Sequence, residues 1–284
     1  MNSAERPAPG MRIELDSLSA RHPAASTGSP AALRAASLAV APGEQVAVIG
    51  PSGAGKTTLL HALACALRPA SGTLRLDAID PWSLPVRELQ RVRGRLFLAP
   101  QTPPLPPRQR VITSILAARL PRLSLWRSLR ALVYPDDIAG AYQALTRFDL
   151  SDKLWDRVDR LSGGERQRVG LARALMAPAS LWLVDEPLSA LDPTRARQAI
   201  DTLTQAARER GATLVASLHQ TDVATRFARV IGLRDGTVAF DLPGHEVTRA
   251  RLSQLYAQHE HELVATVPEP AAAPAVPSVA TVCR

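Results

Sequence analysis

A chain of 284 residues, 46% of them hydrophobic, can bury a sizeable core, which excludes both a disordered chain and a mini-scaffold that needs covalent staples. Its two cysteines, Cys65 and Cys283, offer no disulfide framework and point to a reducing compartment. With no run of about 18 apolar residues and no apolar leader in residues 1–10, the chain is expected neither to cross a membrane nor to be exported. A net charge of +8 and a pI of 10.6 raise nucleic acid or anionic lipid as partners, but the 34 basic residues are Arg apart from Lys56 and Lys153 and stand singly among Ala, Leu and Pro. That is the pattern of a compositional bias on a solvated surface, and no nucleic acid is expected.

In chain order, residues 1–10 read as a flexible N-terminus, and residues 12–15, 36–40 and 45–49 as strands. A glycine-rich loop follows, and then a helix from Lys56 to about Leu67, closed by Pro69. Residues 73–76 and 96–99 read as further strands. The stretch 100–159 changes character: a Pro-rich turn at 102–107 leads into helical periodicity with no convincing strand. Strand patterns return at 181–184, 213–218, 230–233 and 237–240, separated by amphipathic stretches such as 195–208. Alternation of this kind predicts an α/β fold. Residues 264–284 collapse to Ala, Pro and Val and are expected to form a disordered tail.

Four places carry chemistry. Gly50-Pro51-Ser52-Gly53-Ala54-Gly55-Lys56-Thr57 fits G-x-x-x-x-G-K-[ST], in which glycines let successive N–H groups turn toward phosphate oxygens. Lys56 then reaches the β- and γ-phosphates and Thr57 ligates Mg²⁺, while Thr58 continues a helix whose N-terminus faces the phosphates. Leu181 to Glu186 is an apolar strand ending in two carboxylates. Asp185 is placed to hold Mg²⁺ through water, and Glu186, facing the other side, is the candidate general base for an attacking water. Gln101 follows the 96–99 strand, where its amide can ligate Mg²⁺ or orient water at the hinge into the helical stretch. His219 follows the 213–218 strand at its C-terminal end, the side on which open α/β sheets bind ligands.

With Leu161-Ser162-Gly163-Gly164-Glu165-Arg166-Gln167 between these, the chain resembles the ABC-transporter ATPases over roughly residues 11–260, with the motifs in the family's order. Residues 50–58 match the Walker A loop, Gln101 the Q-loop, 161–167 the signature and 183–186 Walker B. Ser189-Ala190-Leu191-Asp192 matches the D-loop and His219 the switch histidine, a contact to the γ-phosphate. The resemblance implies a P-loop NTPase core with an antiparallel β subdomain and a helical subdomain inserted at about 102–178, all within a cassette spanning 11–263. It implies ATP and Mg²⁺ as cofactors. It also implies a second copy of the chain as partner, because the signature residues Ser162, Gly163 and Gly164 of one protomer complete the nucleotide site of the other, and it implies Asp192 of the D-loop as a further nucleotide-binding residue.

One cassette without a membrane span resembles the separate ATPase subunit of a bacterial-type importer, and the finer likeness is to the phosphonate importer ATPase family. Three stretches carry it: residues 217–229 around His219, 123–134 with Trp126-Arg127, and the short ending 252–256. Implied partners are transmembrane permease subunits and an extracytoplasmic substrate-binding protein acting through them, with the chain peripheral on the cytoplasmic face of the inner membrane. Import of another solute (phosphate, phosphite or an amino acid) and a soluble ABC ATPase acting on nucleic acid are the alternatives. The Leu125, Trp126, Leu129, Leu132 and Val133 stripe reads as packing within the helical subdomain, with a permease contact as the other option. The family's adenine-stacking aromatic has His22 as its nearest counterpart, beside a stretch lengthened by residues 23–30.

Overall fold

Two sheets divide the strands, in a computed structural model that describes residues 10–22, 30–124, 126, 128, 130 and 135–257. The smaller is antiparallel, ordered β2 (Leu33–Val40), β1 (Ile13–Ala20), β4 (Ser71–Leu76). Ile13 lies opposite both Val40 and Leu76, and Leu15 opposite Leu38 and Leu74, so one face is aliphatic by simple alternation. The alternation breaks after Leu15. Ser17 takes a positive φ of 49° and the register shifts, which turns Leu18 and Ala20 back inward. This bulge explains why β1 and β2 run several residues beyond the 12–15 and 36–40 stretches that alternation alone marks out.

The larger sheet is ordered β5 (Leu96–Ala99), β6 (Leu181–Asp185), β7 (Thr213–Ser217), β3 (Gln45–Ile49), β8 (Arg229–Arg234), β9 (Thr237–Pro243). All neighbours are parallel except β9, which returns antiparallel to β8. Every residue of β3, β6 and β7 is buried, the condition for a parallel sheet covered on both faces. Val46 and Val48 face a core shared with the small sheet and α1 (Lys56–Leu63), whereas Ala47 and Ile49 face a second core built with the helices on the far side. Helix α1 ends four residues short of the expected Leu67. Cys65, at φ 52°, terminates it in a left-handed turn before Pro69 is reached.

Helix α2 (Val86–Arg93), which the sequence pattern did not mark, buries none of its residues. Between β5 and β6 the described residues hold helices α3 (Val111–Leu116), α4 (Ile138–Thr146) and α5 (Gly163–Met176), and the one strand-like contact there is an isolated bridge between Arg110 and Arg157. Val111, Ile112, Ile115, Ala141, Leu145 and Val169 join these helices in the second core. Gly170 of α5 sits so close to Pro103 that a Cβ there would lie 2.7 Å from the proline ring. Helices α6 (Pro193–Arg210) and α7 (Thr221–Ala224) lie in the same layer, and α8 (Arg249–Leu255) closes the described chain. Trp126 is 81% exposed, unlike the packing expected of it. The side chains of Leu125, Leu129, Leu132 and Val133, like residues 1–9 and the tail 264–284, lie outside the described residues. Among the described residues, no helix is long and apolar enough to cross a membrane.

Candidate nucleotide site

The strands β3, β5, β6 and β7 deliver their C-terminal ends to one edge of the sheet, each followed within two residues by a side chain named above. There a cavity of about 520 Å³ is lined by Ser52 to Thr58, Gln101, Glu186 and His219, together with His22 and Ala32. The loop after β3 needs its glycines. Gly50 has φ 152° and a Cβ there would lie 2.1 Å from the Leu233 carbonyl oxygen; Gly55, at φ 99°, would meet the Ala32 oxygen at 2.5 Å. Gly50 and Pro51 do not line the cavity, but their carbonyls accept from Lys56 Nζ at 2.7 and 3.3 Å. The loop is also tied from a distance, since the Gly50 N–H donates to the hydroxyl of buried Tyr256 just past α8, at 3.2 Å.

Glu186 gathers the other groups. Gln101 Nε2 donates to its Oε2 at 2.8 Å, His219 Nε2 stands 2.5 Å from its Oε1, and Lys56 Nζ lies 3.9 Å from the same oxygen. Burial pushes the Glu186 carboxyl up, but the His219 hydrogen bond and charge together with the Lys56 ammonium outweigh it and hold the group below the usual carboxylate range. Its backbone is in the left-handed region, φ 45°, unusual for a residue with a Cβ. Asp185, only 3% exposed, has a different surrounding: Ser217 Oγ donates to its Oδ1 at 2.5 Å and accepts the Glu186 N–H at 2.9 Å.

The donor set fits Mg²⁺ bound chiefly through phosphates and water. Thr57 offers a hydroxyl and Gln101 an amide oxygen in the lining, Asp185 lies buried behind it and suits a contact through water, and among the described residues there is no cluster of three or more His, Cys, Asp or Glu that would form an all-protein cage.

Ser162, Gly163 and Gly164 are not part of this cavity's lining. Ser162 caps α5 in a capping box: its Oγ accepts the Glu165 N–H at 3.2 Å while its own N–H donates to Glu165 Oε2 at 2.7 Å. That N–H is the main reason the Glu165 carboxyl lies below its ordinary range. Gly164 abuts the turn before α6, where a Cβ would lie 3.0 Å from the Ala190 oxygen. Asp192 caps α6 by accepting from the N–H groups of Thr194 and Arg195 at 3.1 and 3.0 Å, and the Arg195 N–H lowers its pKa first of all. The structure therefore brings the 162–164 and 190–192 segments together, outside the lining of the phosphate-loop cavity. Two residues at the site escaped the sequence reading, Ser217 and Tyr256. Ser217 is one buried hydroxyl in an apolar strand, and only the strand register, Asp185 opposite Ser217, reveals its partner.

The family model described as ABC transporter matches residues 33–189. The chain is 66% identical over 279 residues to the phosphonates import ATP-binding protein PhnC of Polaromonas sp., covering 96% of this chain and 100% of that one. It is 65% identical over 254 residues to PhnC 2 of Albidiferax ferrireducens, covering 89% and 92%. Among solved structures, the dimeric post-hydrolysis state of the ATP-binding cassette MJ0796 bound to ADP and Pi superposes with a TM-score of 0.70 at 28% identity, covering 81% of this chain and 98% of that one. With the phosphate loop, the paired carboxylates and the capped glycine pair in place, these matches establish that the chain belongs to the ABC transporter family as one of its ATP-binding cassettes.

Proposed function

We propose that this chain hydrolyses ATP as the motor subunit of an importer for phosphonates or related phosphorus oxyanions. The observation that carries the chemistry is the convergence of Gln101, His219 and Lys56 on one carboxylate, Glu186, at the mouth of the phosphate loop. The N–H groups of the loop and the N-terminus of α1 suit the β- and γ-phosphates, and Lys56 exchanges its carbonyl partners for phosphate oxygens. Thr57, Asp185 and Gln101 are the residues that would hold Mg²⁺, which would neutralise the charge building up on the phosphates. Glu186 accepts the proton of the attacking water; the low pKa keeps it ionised, and His219 fixes which way the carboxylate points. His22 and Ala32 line the wall left for the base.

Because the 162–164 and 190–192 segments do not line the cavity at their own phosphate loop, they are left to meet the γ-phosphate held by a second copy, and the dimeric MJ0796 cassette supports the pairing of two copies. In this reading residues 102–178 act as the subdomain that passes closure to transmembrane permease subunits, fed by an extracytoplasmic substrate-binding protein, with the chain on the cytoplasmic face of the inner membrane. The permease contact is proposed to lie where α2 meets this subdomain, since Pro121 lines the same cavity as the α2 arginines. There a cavity of about 320 Å³ is lined by Arg87, Arg91 and Arg95, and the first two have no carboxylate partner among the described residues. An acidic permease segment is the complement.

The substrate class rests on the relatives named for phosphonates import. Uptake of a labelled alkylphosphonate by cells carrying this chain or its Glu186→Gln form, with phosphate and phosphite as competitors, tests it. Uptake that needs Glu186 and yields only to phosphonates is the expected result. Equal uptake by both forms would show that the chain does not power phosphonate entry.

A further inference from the structure

We infer that Ser217 is a positioning residue for hydrolysis, a single hydroxyl that sets the two adjacent carboxylates of the site in their separate tasks. This rests on the roles given above to Asp185 and Glu186. Three observations carry it. Ser217 is fully buried at the end of β7, in register with Asp185 across the parallel β6/β7 pair. Its Oγ lies 2.5 Å from Asp185 Oδ1 and receives the Glu186 N–H at 2.9 Å. Glu186, the residue that N–H belongs to, is the one whose backbone turns left-handed at φ 45°.

A serine hydroxyl has one proton and two lone pairs. The Glu186 amide has no choice but to donate, so it occupies a lone pair, and the hydroxyl proton is committed to Asp185. Among the described residues this is the hydrogen bond that the buried Asp185 carboxylate receives, so its orientation depends on Ser217, and its remaining lone pairs would serve a water on Mg²⁺. The same oxygen closes the turn at Glu186, with help from the Ser217 carbonyl, which also accepts that N–H at 3.2 Å. A left-handed backbone in a non-glycine residue persists only where its surroundings over-determine it. Here they do so from the neighbouring strand. The turn sends the Glu186 side chain away from Asp185 and onto Gln101 and His219. Without the hydroxyl, both carboxylates keep their chemistry and lose their mutual geometry.

The experiment compares Ser217→Ala and the nearly isosteric, weakly donating Ser217→Cys with Ser217→Thr, which restores a hydroxyl. In each full-length variant three quantities are read: steady-state hydrolysis, the Mg²⁺ concentration at half-maximal rate, and the affinity for a fluorescent ATP analogue in EDTA and in Mg²⁺. Positioning predicts a fall in kcat of about 10- to 100-fold in the Ala and Cys variants, a raised Mg²⁺ requirement and a smaller Mg²⁺-dependent gain in affinity. Affinity in EDTA should stay at the wild-type value, since the phosphate loop is untouched, and Thr should recover most of the rate. The inference is overturned by wild-type kcat and Mg²⁺ dependence in the Ala or Cys variant. It is equally overturned by loss of EDTA-state affinity in step with kcat, which would mark Ser217 as a general support of the fold.

Discussion

Glu186 combines an unusual backbone, three polar neighbours and a depressed pKa in one residue, and the combination assigns it a task that its sequence neighbour Asp185 does not share. Replacing the carboxylate by the isosteric amide removes the proton acceptor while leaving the loop that grips phosphate. Glu186→Gln should therefore bind ATP with wild-type affinity, lose about 10²- to 10⁴-fold in turnover and accumulate as a nucleotide-bound dimer, read by size exclusion in ATP and Mg²⁺. Unimpaired steady-state hydrolysis would remove Glu186 from the role. At this scale the sequence was most legible where the chemistry is contiguous: the phosphate loop and the acid pair are each read from neighbouring residues. Ser217 and Tyr256 were not legible, because each acquires its partner only through chain closure over 32 and 206 positions.

Helices α5 and α6 begin side by side, and each owes its first turn to a polar cap that is also a candidate contact for a second protomer. The two duties can be separated. Asn caps as well as Asp, so Asp192→Asn should keep the melting temperature of the wild type while Asp192→Ala lowers it by a few degrees; a dimerisation defect in both would locate the function of Asp192 in the carboxylate charge, and a defect in Ala alone in the cap. Glu165 allows a pH test. Its folded pKa is depressed, so its contribution to stability is complete above the ordinary Glu value and disappears as pH falls through the lower folded value. The gap in melting temperature between wild type and Glu165→Ala should accordingly be widest near neutrality and shrink in acid, and a gap that stays constant with pH would contradict the capping box. The strands that alternate or run apolar were foreseeable at this scale. Helix α2 was not, for it spans eight residues with three arginines, and its apolar positions Val86, Leu89 and Val92 make a stripe too short to mark a helix by pattern, with only Leu89 and Val92 packed, partly buried, against the core shared with the small sheet.

On the scale of the whole molecule, the parallel order β5-β6-β7-β3 is what assembles a site from segments more than a hundred residues apart, and neither periodicity nor motif spacing specifies that order. The net charge of +8 was readable at once, but its meaning was not: among the described residues arginines such as Arg229, with Asp241 and Glu44, are tied to nearby carboxylates, whereas Arg87 and Arg91 line an open groove with no carboxylate partner there. Reversing that pair, Arg87→Glu with Arg91→Glu, should leave basal hydrolysis of the isolated chain within about twofold and lower transport-coupled hydrolysis at least about tenfold, with steeper loss at low ionic strength. Full coupling in membranes carrying the double variant would place the permease contact elsewhere.

The close approach of Pro103 to Gly170 bears on how such a contact is felt at the nucleotide. Pro103 follows Gln101 by two residues, and at position 170 helix α5 presents a single hydrogen atom, so the loop rests on the helix backbone with no flexible side chain as a cushion. Tightly packed interiors are nearly incompressible. A displacement of Gln101 is therefore expected to be felt by the helix whose first turn carries Ser162, Gly163 and Gly164. On the roles proposed for Gln101 and for 162–164, the bare spot on α5 is a stiff bearing between the two nucleotide contacts, and its stiffness depends on position 170 remaining without a side chain.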